Sequence, residues 1–231
     1  MDLHESLLKI YDKRRSCFSE HMDQCEIEEH DTKGASFLHL YIQNEGTKLE
    51  KFDTNYVKGF GGSTKEVSSV LKDSNCDGVV LIKGKDEKLH VIFAELKSKQ
   101  TADNLNKAFK QLIFTFFKYH QLLSICADYD ISKITIDFVL SCHSADDNES
   151  AETYLDVQNE QMLMTDGSSK QFVSDMLPFL MRKKCYSFKL KDVDIISQYP
   201  FNQLITEKSI NMHLATSKTP TDDNATINFK Y

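Results

Sequence analysis

Two short apolar runs with a polar turn between them stand out in the middle of the chain. The first covers Gly78 to Ile82, the second covers Leu89 to Leu96, and the residues between them read KGKDEK. Apolar runs on either side of a polar turn are typical of a β-hairpin. With the turn centred near Asp86, the register places Asp77 opposite Glu95.

The segment after the hairpin has the strongest helical period in the chain. From Thr101 to about Cys126, apolar residues recur at steps of three and four, which predicts an amphipathic helix. We interpret the run Phe114 to Phe117 as core rather than as a platform for stacked bases. A polar row runs along the other side of this helix and is interpreted as a solvated face; its members are Asn104, Lys107, Gln111, Thr115 and Lys118.

The rest of the chain alternates between predicted helices and strands. Helices are predicted from residue 3 to about Cys25, from 63 to 71 and from 170 to 181, and strands over 36–43, 133–141 and 186–190. The pattern predicts an α/β fold with a central mixed β-sheet flanked by α-helices. We expect a single domain over residues 1–212, followed by a polar C-terminal tail over residues 213–231.

Composition predicts the cellular location of the protein and the state of its cysteines. No apolar run reaches membrane-spanning length, and acidic residues precede the first short apolar patch, so we expect a cytoplasmic protein with no membrane partner. The six cysteines lie far apart, and none forms the close pairs that zinc sites use. They are interpreted as reduced and mostly buried thiols.

Charge is unevenly distributed along the chain. The formal net charge of −7 argues against a protein that coats nucleic acid indiscriminately. Yet residues 83–118 contain eight lysines against four acids, whereas 143–169 contain seven acids and no lysine or arginine. These runs indicate either a basic working surface on an acidic protein or ordinary solvated faces. The acidic stretch from Asp146 to Asp166 is a candidate loop for holding a partner or masking the basic surface.

The chemistry-bearing residues lie at the end of the second hairpin strand. Both faces of this strand begin apolar, which is typical of an interior strand, and then Glu95 and Lys97 place two charges on the face that carries Val91 and Phe93. Burying a carboxylate and an ammonium costs several kcal/mol unless something compensates. Either a metal site or a structural ion pair at the strand end explains the pair.

The predicted register favours the metal site. Side chains directly opposite each other in a hairpin have Cβ atoms about 4.5–5.5 Å apart, so Asp77 and Glu95 would repel each other unless a cation lay between them. Oxygen ligands favour Mg²⁺ or Mn²⁺, which can also take phosphate oxygens. Lys97 would position or deprotonate an attacking water, or stabilise developing negative charge. Asp77 alone can also be read as a turn residue that begins its strand.

The arrangement resembles a known nuclease superfamily. Asp77, seventeen intervening residues and then Glu95-Leu96-Lys97, on a hairpin followed by a long helix and a strand, is similar to the PD-(D/E)xK nucleases. Cys76 stands where the motif name has proline. The resemblance covers roughly residues 63–141 and implies a restriction-endonuclease-like core with Mg²⁺ or Mn²⁺ as cofactor.

The same resemblance implies further site residues. It implies an acidic residue on the preceding helix, for which Glu66 fits best, and a polar residue on the following helix, for which Gln111 fits. Glu66 has a second reading, because Ser63 and Glu66 have the spacing of a capping box. The lysines near the motif are candidates for phosphate contacts or plain soluble surface; they are Lys99, Lys107 and Lys110.

The function implied by the resemblance is a metal-dependent nuclease. By analogy with the superfamily it would be a DNA endonuclease, with a role in prokaryotic anti-phage (antiviral) defence, a regulatory partner protein and a homodimeric state as further expectations. Two alternatives stay open. One is a nuclease that acts on RNA, and the other is a non-catalytic interaction module that retains the nuclease fold.

Overall fold

The computed structural model describes residues 6, 9–10, 18–29, 38–57, 75–85, 88–98, 101–127, 129–143, 176, 185–193, 196, 199–219 and 221–231. The strands in these residues are β1 (Phe18–Glu28), β2 (His39–Phe52), β3 (Gly78–Lys83), β4 (Leu89–Lys97), β5 (Ile134–Cys142), β6 (Cys185–Lys189), β7 (Ser209–Thr216) and β8 (Asn224–Asn228). The α-helices are α1 (Ala102–Ser124) and α2 (Gln203–Thr206), and short 3-10 turns lie at Thr54–Val57, Ile131–Lys133 and Leu190–Asp192.

The strands form one mixed sheet in the order β1-β2-β3-β4-β5-β7-β6, with β8 beside β2. Strands β4, β5 and β7 run parallel, and β2 and β8 pair in parallel as well. The remaining neighbours are antiparallel. The prediction of an α/β fold around a mixed sheet is therefore confirmed.

The hairpin of β3 and β4 is confirmed with the predicted register. Gly78 pairs with Ala94 and Val80 pairs with Ile92, so Asp77, one residue before β3, lies level with Glu95. The turn is closed by a hydrogen bond from the Gly84 amide to the Lys88 carbonyl at 3.0 Å. The site residues therefore lie at the end of the hairpin remote from its turn.

Helix α1 connects the parallel strands β4 and β5, as such a connection requires. Its start is capped by Thr101, whose side chain accepts a hydrogen bond from the Asn104 amide. The predicted helix is thus confirmed. The run Phe114 to Phe117 is buried, and the Phe116 ring lies 5.9 Å from that of Phe93 on β4, so these aromatics belong to the core as predicted.

The face of the sheet opposite α1 is covered differently from the prediction. Within the described residues, strand side chains rather than a helix pack on it. Ile27 of β1 lies so close to β3 that a Cβ at Gly78 would be 2.5 Å from Ile27 Cδ1. At the other end the Phe229 ring, just after β8, packs edge-on against His213 of β7. Residues of β1, of β8 and of the segment after β8 therefore pack on the central strands at this face.

Two predicted boundaries are wrong. The opening helix was expected to reach Cys25, but residues from Phe18 onward form β1, where pairing with β2 outweighs the helical spacing of the apolar residues. The last residues were expected to be a polar tail from 213. Instead β7 continues to Thr216 with Leu214 and Ala215 buried, and β8 pairs with the first half of β2. Polar residues there lie on strands because the sheet satisfies their backbone groups.

Several predictions fall on residues that the structure does not describe. These are the capping box and helix over 63–71, the acidic loop from 146 to 166, and most of the helix over 170–181. None of the described cysteines is part of a disulfide, and Cys25, Cys76, Cys126 and Cys142 are buried, which agrees with the reduced-thiol interpretation. None of the helices in the described ranges combines the length and apolar character needed to cross a membrane.

Candidate metal centre

The three charged residues singled out in the sequence meet on the α1 side of the sheet. Asp77, Glu95 and Lys97 continue the rows of core residues on β3 and β4 that face α1. Lys97 Nζ donates to Glu95 Oε1, which makes an ion pair between a mostly buried lysine and a fully buried carboxylate. Asp77 Oδ2 accepts a hydrogen bond from the Leu96 amide at 2.7 Å. The backbone of β4 therefore fixes the Asp77 carboxylate beside Glu95.

Glu95 is held in an unfavourable environment for a carboxylate. It is fully buried, and among the described residues no donor lies within hydrogen-bonding distance of its Oε2. Burial raises the pKa of the Glu95 carboxyl well above its ordinary value, and the charge of Asp77 raises it further, while Lys97 opposes the shift. An additional positive charge at this point would relieve both the desolvation and the repulsion.

Helix α1 positions the segment that leads into Asp77. Gln111 Nε2 donates to the Asn75 carbonyl at 3.0 Å, and Thr115 Oγ1 accepts from the Cys76 amide at 2.8 Å. The Thr115 hydroxyl donates in turn to the Gln111 carbonyl. These bonds satisfy backbone groups of residues 75 and 76 that have no strand partner. They therefore hold Asp77 in place at the open end of the hairpin, remote from its turn.

The polar row of α1 is therefore not the solvated face that was predicted. Lys107 is exposed, but Thr115 and Lys118 are completely buried. Lys118 Nζ donates to Asn75 Oδ1 at 2.9 Å. The interpretation was wrong because a helix period shows that a row is polar but not what covers it. Asn75, Thr115 and Lys118 are positioning residues that we had not assigned to the site.

The remaining predicted site residues are less closely tied to the centre. Gln111 contributes through Asn75, and none of its hydrogen bonds reaches Asp77 or Glu95. Lys107 is exposed on α1 and Lys110 is half-buried, so both stay candidates for phosphate contacts only. Glu66 and Lys99 lie outside the described residues.

A second group of potential ligands lies on β1 and β2. Glu26, Glu28 and His39 offer ligand atoms that all lie within 4.8 Å of one another. His39 Nδ1 lies 2.8 Å from Glu26 Oε1, and the Tyr41 hydroxyl donates to the same oxygen at 3.1 Å. The group is partly exposed, and Glu26 already bonds to His39 and to Tyr41.

A buried carboxylate on the opposite face of the sheet, Asp137, is fully accounted for by its neighbours. Its Oδ1 lies 2.7 Å from His213 Nε2 and accepts from Asn211, while its Oδ2 accepts from the Tyr231 hydroxyl at 2.8 Å. Burial and the charge of Asp137 raise the pKa of the Tyr231 phenol. The cluster anchors the segment after β8 and offers no open position for a ligand.

The donor set at Asp77 and Glu95 fits a hard divalent cation. Both side chains supply oxygens, and the second oxygen of Glu95 is buried without a hydrogen bond from the described residues. Within the described residues these oxygens do not belong to a group of three potential ligands within 4.8 Å of one another. Mg²⁺ commonly keeps several waters and needs only one or two protein carboxylates. No family model, curated protein or solved structure matches the chain.

Proposed function

We propose that this protein is a Mg²⁺- or Mn²⁺-dependent nuclease whose centre is formed by Asp77, Glu95 and Lys97. The observation that carries the proposal is the burial of Glu95, with one oxygen paired to Lys97 and the other without a donor in the described part of the chain. A purely structural ion pair would gain most when both carboxylate oxygens are satisfied. An oxygen left over beside a second acid is what a cation ligand requires.

Each residue has a distinct part in phosphodiester hydrolysis. Asp77 and Glu95 would hold the cation, which supplies a nucleophilic water near neutral pH and neutralises charge on the phosphate. The Leu96 amide keeps Asp77 oriented, so the acid does not have to reorganise when the substrate binds. Among the described residues Lys97 is the cation in contact with Glu95, and its ammonium can donate to a phosphate oxygen or orient the attacking water.

The restriction-endonuclease-like core and the choice of substrate remain parts of this proposal. The β3–β4 hairpin is followed along the chain by α1 and by the parallel strand β5. This order is consistent with the core that the sequence resembles. DNA is the proposed substrate because the resemblance favours it, and RNA is the alternative. A role in defence against phage, a regulatory partner protein and a homodimer follow from the same analogy and extend the proposal.

Cleavage of nucleic acid by the purified protein tests the proposed function. Supercoiled plasmid and a long RNA are incubated with the full chain in Mg²⁺, in Mn²⁺ and in EDTA. We expect nicking or linearisation of the plasmid in either metal and none in EDTA, because the cation supplies the nucleophile. The matched variant Asp77→Asn keeps the shape of the side chain and removes its charge, and we expect it to be inactive.

Three results would redirect or overturn the proposal. Cleavage of RNA alone would assign the activity to RNA. Cleavage that persists in EDTA, or in Asp77→Asn at the wild-type rate, would show that the activity does not depend on this centre. Metal binding with no cleavage of either substrate would favour the non-catalytic interaction module.

A further inference from the structure

The segment of residues 75 to 77 lies just before β3 and is held from two sides, by α1 and by β4. The Cys76 amide donates to Thr115 Oγ1 of α1 at 2.8 Å. The Leu96 amide of β4 donates to Asp77 Oδ2 at 2.7 Å. Because Cys76 directly precedes Asp77, its bond to α1 fixes the backbone from which the proposed metal ligand extends.

The Thr115 hydroxyl is a rigid acceptor for this bond. Its side chain is completely buried, and its proton is donated to the Gln111 carbonyl, one turn earlier in α1, at 2.7 Å. A β-branched side chain in a helix has few accessible rotamers, and a bond to the preceding turn selects one of them. Since the proton is directed at Gln111, an oxygen lone pair is presented to the Cys76 amide. Thr115 therefore sets the distance between α1 and the residue before Asp77.

Cys76 can make this contact because it has an amide hydrogen, which a proline at the same position would lack. The Cys76 side chain is also buried, and its Sγ donates to the Gly78 carbonyl at 3.3 Å. A buried N–H that loses its acceptor is unfavourable unless the backbone moves to find another. Removal of the Thr115 hydroxyl would therefore favour a shift of the backbone that carries Asp77.

We propose that Thr115 is a positioning residue for the metal centre, which acts through the Cys76 amide on the Asp77 carboxylate. The proposal rests on the proposed nuclease function and adds a residue of α1 on which the affinity for the cation depends. The Thr115 hydroxyl is buried and bonds to the protein on both sides, so its role concerns the cation and not contact with nucleic acid. We therefore expect its loss to lower metal affinity and kcat and to leave the KM for plasmid unchanged.

Mn²⁺ binding and plasmid cleavage by the full chain test this role. Thr115→Val keeps the branched shape and removes the hydroxyl, and we expect it to bind Mn²⁺ about 10-fold more weakly, as loss of a partner behind a metal ligand does. Calorimetry measures the affinity, and cleavage rates in limiting Mn²⁺ give kcat and KM. Thr115→Ser restores the hydroxyl but not the methyl group, so it should recover most of the affinity, which a packing defect would not allow.

Matched variants separate positioning from general stability. Ile136→Val trims a buried side chain on β5, at a position that pairs with Val91 away from the centre, and should bind Mn²⁺ like the wild type. Circular dichroism checks that each variant is folded. If Thr115→Val does not fold, Thr115→Cys places a weaker acceptor at the same position and should show reduced affinity.

The outcomes distinguish this role from the nuclease proposal itself. Unchanged affinity in Thr115→Val, or in Thr115→Cys where valine is not tolerated, would overturn the role of Thr115 if the wild type binds Mn²⁺ and cleaves. The nuclease proposal would then stand. Equal weakening in Thr115→Val and Thr115→Ser, or in Ile136→Val, would assign the effect to packing and also overturn it. A wild type that binds no Mn²⁺ would overturn both proposals.

Discussion

Replacing Glu95 with glutamine is expected to reduce metal-dependent cleavage at least about 100-fold, since even outer partners of metal ligands cost 10–100-fold when removed. The same change should leave the metal-free protein at least as stable as the wild type. Glutamine keeps the volume of the buried side chain and its oxygen can still accept from Lys97, but it removes a carboxylate that is desolvated and repelled by Asp77. Plasmid cleavage rates and thermal melting in EDTA measure the two effects.

The raised pKa of Glu95 also predicts in which direction the stability difference between Glu95→Gln and the wild type changes with pH. The pKa of Glu95 is raised in the folded protein, so the folded state holds the proton more tightly than the unfolded state. Stability is therefore greatest below the unfolded pKa and is lost as the pH rises through the folded pKa. The advantage of Glu95→Gln over the wild type in EDTA should grow over that interval. A variant that cleaves normally, or that melts well below the wild type, would contradict the account of Glu95.

Replacing Lys97 with methionine is expected to destabilise the metal-free protein by about 3–5 kcal/mol at pH 8, the cost of breaking a buried ion pair. Methionine retains the apolar stem and removes the ammonium, which leaves the buried Glu95 carboxylate without its positive partner. The loss should shrink near pH 5, because Lys97 lowers the pKa of Glu95 and its removal lets that carboxyl take up a proton more readily. Chemical denaturation in EDTA at both pH values measures the change in free energy of unfolding.

A second substitution shows whether the loss of stability in Lys97→Met comes from the Glu95 carboxylate left without a positive partner. The double variant Glu95→Gln with Lys97→Met should recover most of the stability, which is the non-additivity expected for two groups in contact. Lys83→Met removes a charge from an exposed position at the end of β3 and should change stability by less than about 0.5 kcal/mol. Equal losses in the single and double variants would show that packing, and not the buried charge, accounts for the effect.

The hairpin, α1 and β5 could be predicted because their signals are local. The alternation on β3 and β4 and the polar turn fix the register that brings Asp77 level with Glu95. The apolar period of α1 is long enough to exclude a strand. These elements position the hairpin motif, so the pairing of its charged residues was predictable from the sequence.

The first and last strands depended on partners that the sequence does not reveal. Between Phe18 and Cys25 every residue except Met22 is polar, and β1 exists because it pairs along most of β2. The segment after β7 contains threonine, asparagine and aspartate, yet Phe229 and Tyr231 return to the core and to Asp137. Tertiary pairing overrides local preference in both places.

The residues that position Asp77 could not be predicted from the sequence either. Thr115 and Lys118 were visible as members of a polar row, but only the packing of α1 on residues 75 and 76 shows that they hold the entry to Asp77.

The position of a bound cation tests the central claim most directly. Crystals of the full chain soaked in Mn²⁺ and measured at a wavelength where manganese scatters anomalously would locate the ion without reference to activity. The account predicts an anomalous peak within ligand distance of the Asp77 and Glu95 oxygens, with the Lys97 ammonium beside it. An ion bound only at Glu26, Glu28 and His39, or a centre that stays empty at saturating Mn²⁺, would contradict it.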